Sequence, residues 1–188
     1  MPRDRFVQRK NAVLSKTDRS SIGEWDNKIE KLCNKINKTL DFYTTSSCSG
    51  RVILMISKDK KGKDLFLKIW HDKVFFNEFK EVLNNLLNKK DIIKFKLEPP
   101  ILHVACRDLK KATEILEKAK FLGFKRSSVL TFDKNIIVEI NSSERFEFPI
   151  IKNDKILVED EFLKLVLEMS NYKMEKGWEK IKKLEKSF

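Results

Sequence analysis

Between Phe42 and Arg51 the chain reads Phe42-Tyr43-Thr44-Thr45-Ser46-Ser47-Cys48-Ser49-Gly50-Arg51, seven consecutive hydroxyl or thiol side chains closed by a glycine and an arginine. Each aliphatic hydroxyl offers one donor and two acceptor positions, and a guanidinium offers a planar fork of donors. With the backbone N–H groups around Gly50, the residues Ser46, Ser47 and Arg51 have the chemistry to hold an anionic or carboxylate ligand. The apolar run Val52-Ile53-Leu54-Met55-Ile56 that follows predicts a buried strand, so the hydroxyl-rich segment is expected as a binding loop held rigid at one end. Serine-rich turns also satisfy their own backbone, and local chemistry leaves both readings open.

The chain has two histidines, His71 and His103. Imidazole is the side chain best matched to proton transfer near neutral pH. His103 lies in the predicted strand Ile101–Arg107, where period-two alternation puts Ile101, His103, Ala105 and Arg107 on one face and Leu102, Val104 and Cys106 on the other. A histidine and an arginine sharing a strand face are poor core filler and point to a site. The other reading is a satisfied, half-buried imidazole with Arg107 at the strand end. His71 stands at the end of another predicted strand, beside Asp72, which is also placed to cap the next helix.

Three cysteines, Cys33, Cys48 and Cys106, show no CxxC pairing, so neither a disulfide framework nor a structural zinc site is expected. Two isolated histidines suggest no metal. A reducing, cytoplasmic compartment follows. Cys48 and His103 need only meet in space to form a nucleophile and base, which keeps a cysteine hydrolase as an alternative.

Around these residues the periodicities predict alternating helices and strands. Phe6 to Leu14 has the composition of a short basic helix. Ser21 and Glu24 have capping-box spacing, and Trp25, Ile29, Leu32, Cys33, Ile36 and Leu40 recur at helical period. A solvated turn over Asp59–Asp64 leads to a strand over Leu65–Trp70, then to a helix with Phe75, Phe79, Val82, Leu83 and Leu86 on its apolar face. Ile92–Leu97 alternates and is broken by Pro99-Pro100, which cannot donate to a ladder. After Ile101–Arg107 comes a helix capped by Asp108, striped by Leu109, Ala112, Leu116 and Ala119 and ended at Gly123. Ser128–Phe132 and Ile136–Ile140 read as a hairpin across Asp133-Lys134-Asn135, with short strands at Glu147–Ile150 and Ile156–Val158. A terminal helix is expected to bury Phe162, Leu165, Val166 and Met169 and, later, Trp178, Ile181 and Leu184.

This order predicts an α+β (mixed α/β) chain, a single domain over residues 1–188 with a mixed sheet covered by helices. It is not Rossmann-type: glycine is scarce at 5 residues and no G-x-G-x-x-G follows a strand. No apolar run reaches membrane-spanning length, and the basic start lacks the apolar core of a signal peptide. With 40 Lys and Arg against 28 Asp and Glu, the net charge is +12. That balance favours a polyanionic partner, nucleic acid first. Lys176, Lys180 and Lys183 fall on one face of the terminal helix, and Arg3 and Arg5 add a second basic cluster.

Taken together, Phe42–Arg51, Leu14-Ser15-Lys16, His71-Asp72, Glu98–Arg107, Gly123–Ser127 and the closing Asn171, Lys173, Met174 and Glu175 resemble the wybutosine-synthesis methyltransferase family nearly end to end. Those enzymes methylate a ring nitrogen of the tricyclic guanine derivative beside the anticodon of tRNA-Phe. The resemblance implies S-adenosylmethionine as donor and the anticodon arm of tRNA-Phe as partner. It implies a grip on the donor by Ser46, Ser47, Arg51 and Arg107, with His103 or the His71/Asp72 pair as base. Lys176, Lys180, Lys183, Arg3 and Arg5 would meet the RNA. A non-catalytic tRNA-binding module is the other alternative.

Overall fold

A computed structural model describes residues 4–15, 26–58, 62–133 and 135–188. Arg3, Lys16, the Ser21/Glu24 capping box, Trp25, Asp59–Lys61 and Lys134 lie outside the described residues. The chain divides into two compact units. Met1–Ser49, Pro100–Ser143 and Trp178–Phe188 make the first, and Gly50–Pro99 and Glu144–Gly177 the second. The expected α+β class holds. In place of one mixed sheet the strands form two sheets, and every pairing in both is antiparallel.

The first unit is built on a four-stranded sheet in the order β1 (Phe42–Cys48), β5 (Ile101–Cys106), β7 (Ile136–Asn141), β6 (Ser128–Thr131). Its inner face carries Phe42, Leu102, Val104, Cys106, Val138 and Ile140. Against these pack Ile29, Leu32, Cys33 and Ile36 of α2 (Asn27–Lys38), Ala112, Ile115 and Ala119 of α4 (Leu109–Phe121), and Ile181 and Leu184. Asp26 caps α2 and Asp108 caps α4, the latter as expected. Leu40 and Leu109 leave their predicted stripes: α2 ends at Lys38, leaving Leu40 80% exposed, and Ile115 takes the inward position in α4. Gly123 follows the C-cap Leu122 of α4, and its φ of 99° suits glycine.

On the outer face of this sheet lies α1 (Arg5–Leu14), which buries no residue of its own. It is held by polar and ring contacts. Arg107 Nη1 donates to Asp4 Oδ2 at 2.5 Å, Nε to Asp41 Oδ1 at 3.0 Å and Nη2 to the Leu40 carbonyl at 3.0 Å. The Arg107 guanidinium lies 4.9 Å from the Phe6 ring centre, and Phe6 lies 5.2 Å from Tyr43. Lys10 donates to the carbonyls of Thr39 and Phe42.

The second unit is a five-stranded sheet in the order β3 (Phe66–Trp70), β2 (Arg51–Ile56), β4 (Ile93–Glu98), β8 (Phe146–Lys152), β9 (Lys155–Ile156). Its core is aromatic. Phe95 stacks on its register partner Phe148 at 5.2 Å and meets Phe79 of α3 (Phe76–Asn85) edge-on at 5.8 Å. Such pairs add about 0.5–1.5 kcal/mol each beyond their buried area. Asp72 does not cap α3: Phe75 occupies the N-cap without a side-chain bond, and Asp72 Oδ1 accepts from the Lys73 N–H instead. The helix α5 (Asp160–Lys186) begins in this unit, burying Leu163, Val166, Leu167 and Met174. Of its predicted stripe here only Val166 is buried; Phe162, Leu165 and Met169 are exposed. Asn171 explains its place in the motif, since its side chain accepts from the Val74 N–H and donates to the Val74 carbonyl, both at 2.9 Å. Among the described residues no helix is long and apolar enough to cross a membrane.

Candidate active site

The hydroxyl-rich segment is strand rather than loop as far as Cys48: it forms the edge strand β1 and pairs with β5. Two residues associated with α2 pin it at either end. Asn37 Oδ1 accepts from the Thr44 N–H at 2.8 Å, and Asn37 Nδ2 donates to Thr44 Oγ1 at 3.0 Å. At the other end the Asp26 carboxylate accepts from the Ser49 N–H at 3.1 Å and from the Ser49 hydroxyl. Ser49 is fully buried, so this serine of the motif is an anchor.

Between these anchors the register slips. Thr44 opposes Val104, and Ser46, not Thr45, opposes His103. The extra residue is a bulge, a device that turns the following side chains to the opposite face. Ser46 and Cys48 therefore share the outer face with His103 and Ile101, their partners, while Ser47 opposes the inward Leu102. The expected joint grip by Ser46 and Ser47 is thus split across the two faces of the strand.

Ser46, His103 and Glu139 form a row across three adjacent strands. Ser46 Oγ lies 2.9 Å from His103 Nδ1, and His103 Nε2 lies 2.9 Å from Glu139 Oε2. Asn141, two residues along β7 on the same face, donates from Nδ2 to Glu139 Oε1 at 3.0 Å. A carboxylate only accepts, so a neutral His103 carries its proton on Nε2 and presents the Nδ1 lone pair to the Ser46 hydroxyl. Ser46 is exposed, and the side chains of His103 and Glu139 are 29% and 21% accessible. The row is reachable from solvent at its serine end and partly desolvated behind it. Such an arrangement is capable of proton transfer, with the Ser46 hydroxyl giving a proton to Nδ1 and Glu139 stabilising the resulting imidazolium.

Sequence reasoning singled out His103 and Ser46 and passed over their neighbours in this row, Glu139 and Asn141, which alternate along a predicted strand. The signal was present, since Glu139 and Asn141 sit at i and i+2 in Ile136-Ile137-Val138-Glu139-Ile140-Asn141. His103 does not pair with Cys48. Both of its ring nitrogens face Ser46 and Glu139, and Cys48 opposes Ile101. Burial pushes the Cys106 thiol up to about 12, aided by the nearby Asp108 charge, so it is no thiolate nucleophile.

The remaining predicted residues fall elsewhere. Arg107 faces the outer side as expected, but its guanidinium is engaged by Asp4, Asp41 and the Leu40 carbonyl, which suits a structural clamp better than a ligand. His71 and Asp72 follow β3 in the second unit. Arg51 also belongs to the second unit, at the start of β2; its Nε donates to Glu98 Oε2 at 2.7 Å while Lys96 holds Glu98 Oε1 at 2.7 Å. Burial favours the neutral form of Glu98. The hydrogen bond from Lys96 and the charge of Arg51 overcome it and hold the carboxyl below its ordinary range. Two cations around one anion leave a local charge of +1, and among the described residues Glu98 meets Arg51 through Nε, leaving the two terminal nitrogens for a further acceptor. Of the RNA-facing candidates, Arg5 and Lys183 are exposed. Lys180 runs its alkyl stem beside Gly123, where a Cβ would lie 3.2 Å from Cε, and the Lys176 ammonium sits 5.5 Å from the Tyr172 ring centre.

A family model described as Methyltransferase TYW3 matches residues 8–188. The chain belongs to the TYW3 methyltransferase family. It is 36% identical over 184 residues to the tRNA(Phe) 7-((3-amino-3-carboxypropyl)-4-demethylwyosine(37)-N(4))-methyltransferase of Thermococcus sibiricus, covering 95% of this chain and 91% of that protein. To the protein of the same name from Methanocaldococcus jannaschii it is 40% identical over 159 residues, covering 82% and 81%. The solved structure of the PH1069 protein from Pyrococcus horikoshii superposes with a TM-score of 0.87 at 33% identity, covering 97% of this chain and 95% of that one. The resemblance drawn from the motifs is borne out, and a TYW3 methyltransferase without a Gly-rich Rossmann turn accords with the two antiparallel sheets.

Proposed function

We propose that this chain, residues 1–188 acting as one enzyme, methylates N4 of 7-(3-amino-3-carboxypropyl)-4-demethylwyosine at position 37 of tRNA-Phe, with S-adenosylmethionine as donor. The observation that carries the mechanism is the row Ser46–His103–Glu139, a hydroxyl backed by an imidazole and a carboxylate on the accessible side of a sheet. Bound S-adenosylmethionine supplies an electrophilic methyl group whose sulfur leaves as a neutral thioether. The acceptor nitrogen must lose its proton as it gains the methyl group. Ser46 takes that proton while giving its own to His103 Nδ1, and Glu139 holds the imidazolium until solvent removes the proton. Displacement at a sulfonium needs little more from the protein than alignment and exclusion of water.

For the donor's carboxylate the chain offers Arg51. Its two terminal nitrogens are available in the planar, fork-like geometry that suits two oxygens, and Glu98 on Nε fixes the plane. Calorimetric titration with S-adenosylmethionine tests this part. Binding is expected, and Arg51→Lys, a point charge without a fork, is expected to weaken it by about 1–2 kcal/mol. Unchanged affinity in a folded variant removes Arg51 from the clamp.

A further inference from the structure

The two oxygens of Glu139 meet different neighbours. Oε2 faces His103 Nε2 at 2.9 Å and Oε1 accepts from Asn141 Nδ2 at 3.0 Å. Asn141 is held at its backbone. Its backbone N–H donates to Ser127 Oγ at 3.1 Å, and buried Ser127 in turn donates to the Phe124 carbonyl at 2.7 Å. The connection thus runs inward from an exposed hydroxyl to a buried one: Ser46, His103, Glu139, Asn141, Ser127.

We propose that Glu139, oriented by Asn141, is the positioning residue that sets the tautomer of His103 and thereby the direction in which Ser46 hands on its proton. The proposal deepens the reading of His103 as base and rests on it for its effect on transfer. Its logic is one of donors and acceptors. Asn141 points an N–H at one atom of residue 139, so that atom must accept. In a carboxylate the other atom accepts too, which requires a proton on His103 Nε2 and leaves Nδ1 basic toward Ser46. An amide in place of the carboxylate has only one accepting atom. With Asn141 keeping the Nδ2 orientation seen here, that atom is taken, so the amide NH2 is turned toward His103 Nε2. The imidazole must then accept at Nε2 and carry its proton on Nδ1, facing Ser46 with a donor. The relay is reversed with little change in shape.

The test follows from the same logic. Nitrogen-15 spectra of the two imidazoles, recorded at alkaline pH with His71→Asn as the assignment control, report which nitrogen of His103 carries hydrogen. The wild-type protein is expected to show the Nε2–H form, and Glu139→Gln the Nδ1–H form. Methyl transfer by Glu139→Gln should fall by about a hundredfold or more while donor affinity is kept. A comparable tautomer reversal in the serine protease triad costs about 10⁴ in turnover. Adding Asn141→Asp to Glu139→Gln gives the new amide an acceptor for its NH2, returns its oxygen to His103 and is expected to restore the Nε2–H form and part of the rate. A residue that only supported the fold would show no such rescue. An Nδ1–H form in the wild type, or an Nε2–H form in Glu139→Gln, overturns the proposal. The first needs no variant, so an unstable substitution does not shield it. A flip with undiminished transfer upholds control of the tautomer and overturns instead the role of His103 as base.

Discussion

His103 Nε2 lies 2.9 Å from Glu139 Oε2 because the two residues are register partners on β5 and β7. The pairing is a property of the sheet and needs no loop to hold it. Sites on paired strands are held more rigidly than sites on loops, and proton transfer rewards that precision. The same row places Ser46 on the other side of His103, through a bulge that shifts β1 by one residue.

The bulge makes neighbouring serines unequal. Ser46→Ala removes the hydroxyl through which His103 reaches the acceptor's proton and is expected to slow transfer by about 10²–10⁴, as loss of His103 itself does. Ser47→Ala, on the other face, is expected to leave transfer near the wild-type rate, and Cys48→Ser should do the same. Steady-state rates of the three folded variants check the ordering. Equal losses at Ser46 and Ser47 would contradict the assigned faces.

Glu98 gives a pH dependence whose sign can be worked out. Its folded carboxyl titrates below the ordinary value of 4.5, because Lys96 and Arg51 outweigh its burial. The unfolded chain then binds the proton first on acidification. The contribution is therefore fully present above pH 4.5 and lost as pH falls through the lower folded value. Thermal unfolding followed from neutral to acidic pH should show Glu98→Gln less stable at neutral pH and less sensitive to acid below pH 4.5. Parallel curves for the two proteins would remove this cluster from the acid response.

Much of the fold was legible in the residues themselves. Alternation around His103 predicted β5 and its faces, and Asp108 and Gly123 marked both ends of α4, because caps and positive-φ glycines act locally. The bulge at Thr45 was not legible. Alternation carried on from the inward Phe42 assigns Ser46 to the core, and only pairing with β5 reverses this. Arg107 shared a face with His103 as read, yet its partners Asp4 and Asp41 lie far away in sequence, and no periodicity announces such contacts. Phe162, Leu165 and Met169 show the same limit: their spacing makes a stripe, but packing of Leu163 and Leu167 chose the other side of the helix.

On the RNA side, exposure narrows the basic candidates. Lys183 and Arg5 project into solvent, whereas Lys180 and Lys176 rest their stems or heads on Gly123 and Tyr172. Replacing Lys183 and Arg5 by Gln is expected to flatten the salt dependence of tRNA binding by about 0.7–0.9 of a logarithmic slope unit for each that meets a phosphate. Donor affinity should stay unchanged. Filter binding across a salt series reads the slope, and an unaltered slope would move the RNA contact to other lysines.

The most direct measurement incubates the protein with S-adenosylmethionine and tRNA-Phe that carries 7-(3-amino-3-carboxypropyl)-4-demethylwyosine at position 37, then weighs the released nucleoside. The account predicts a gain of one methyl group on N4 with the wild-type chain, and a rate lower by about 10²–10⁴ with His103→Gln at unchanged donor affinity. An unmethylated nucleoside from a wild-type protein that binds both donor and tRNA would contradict it.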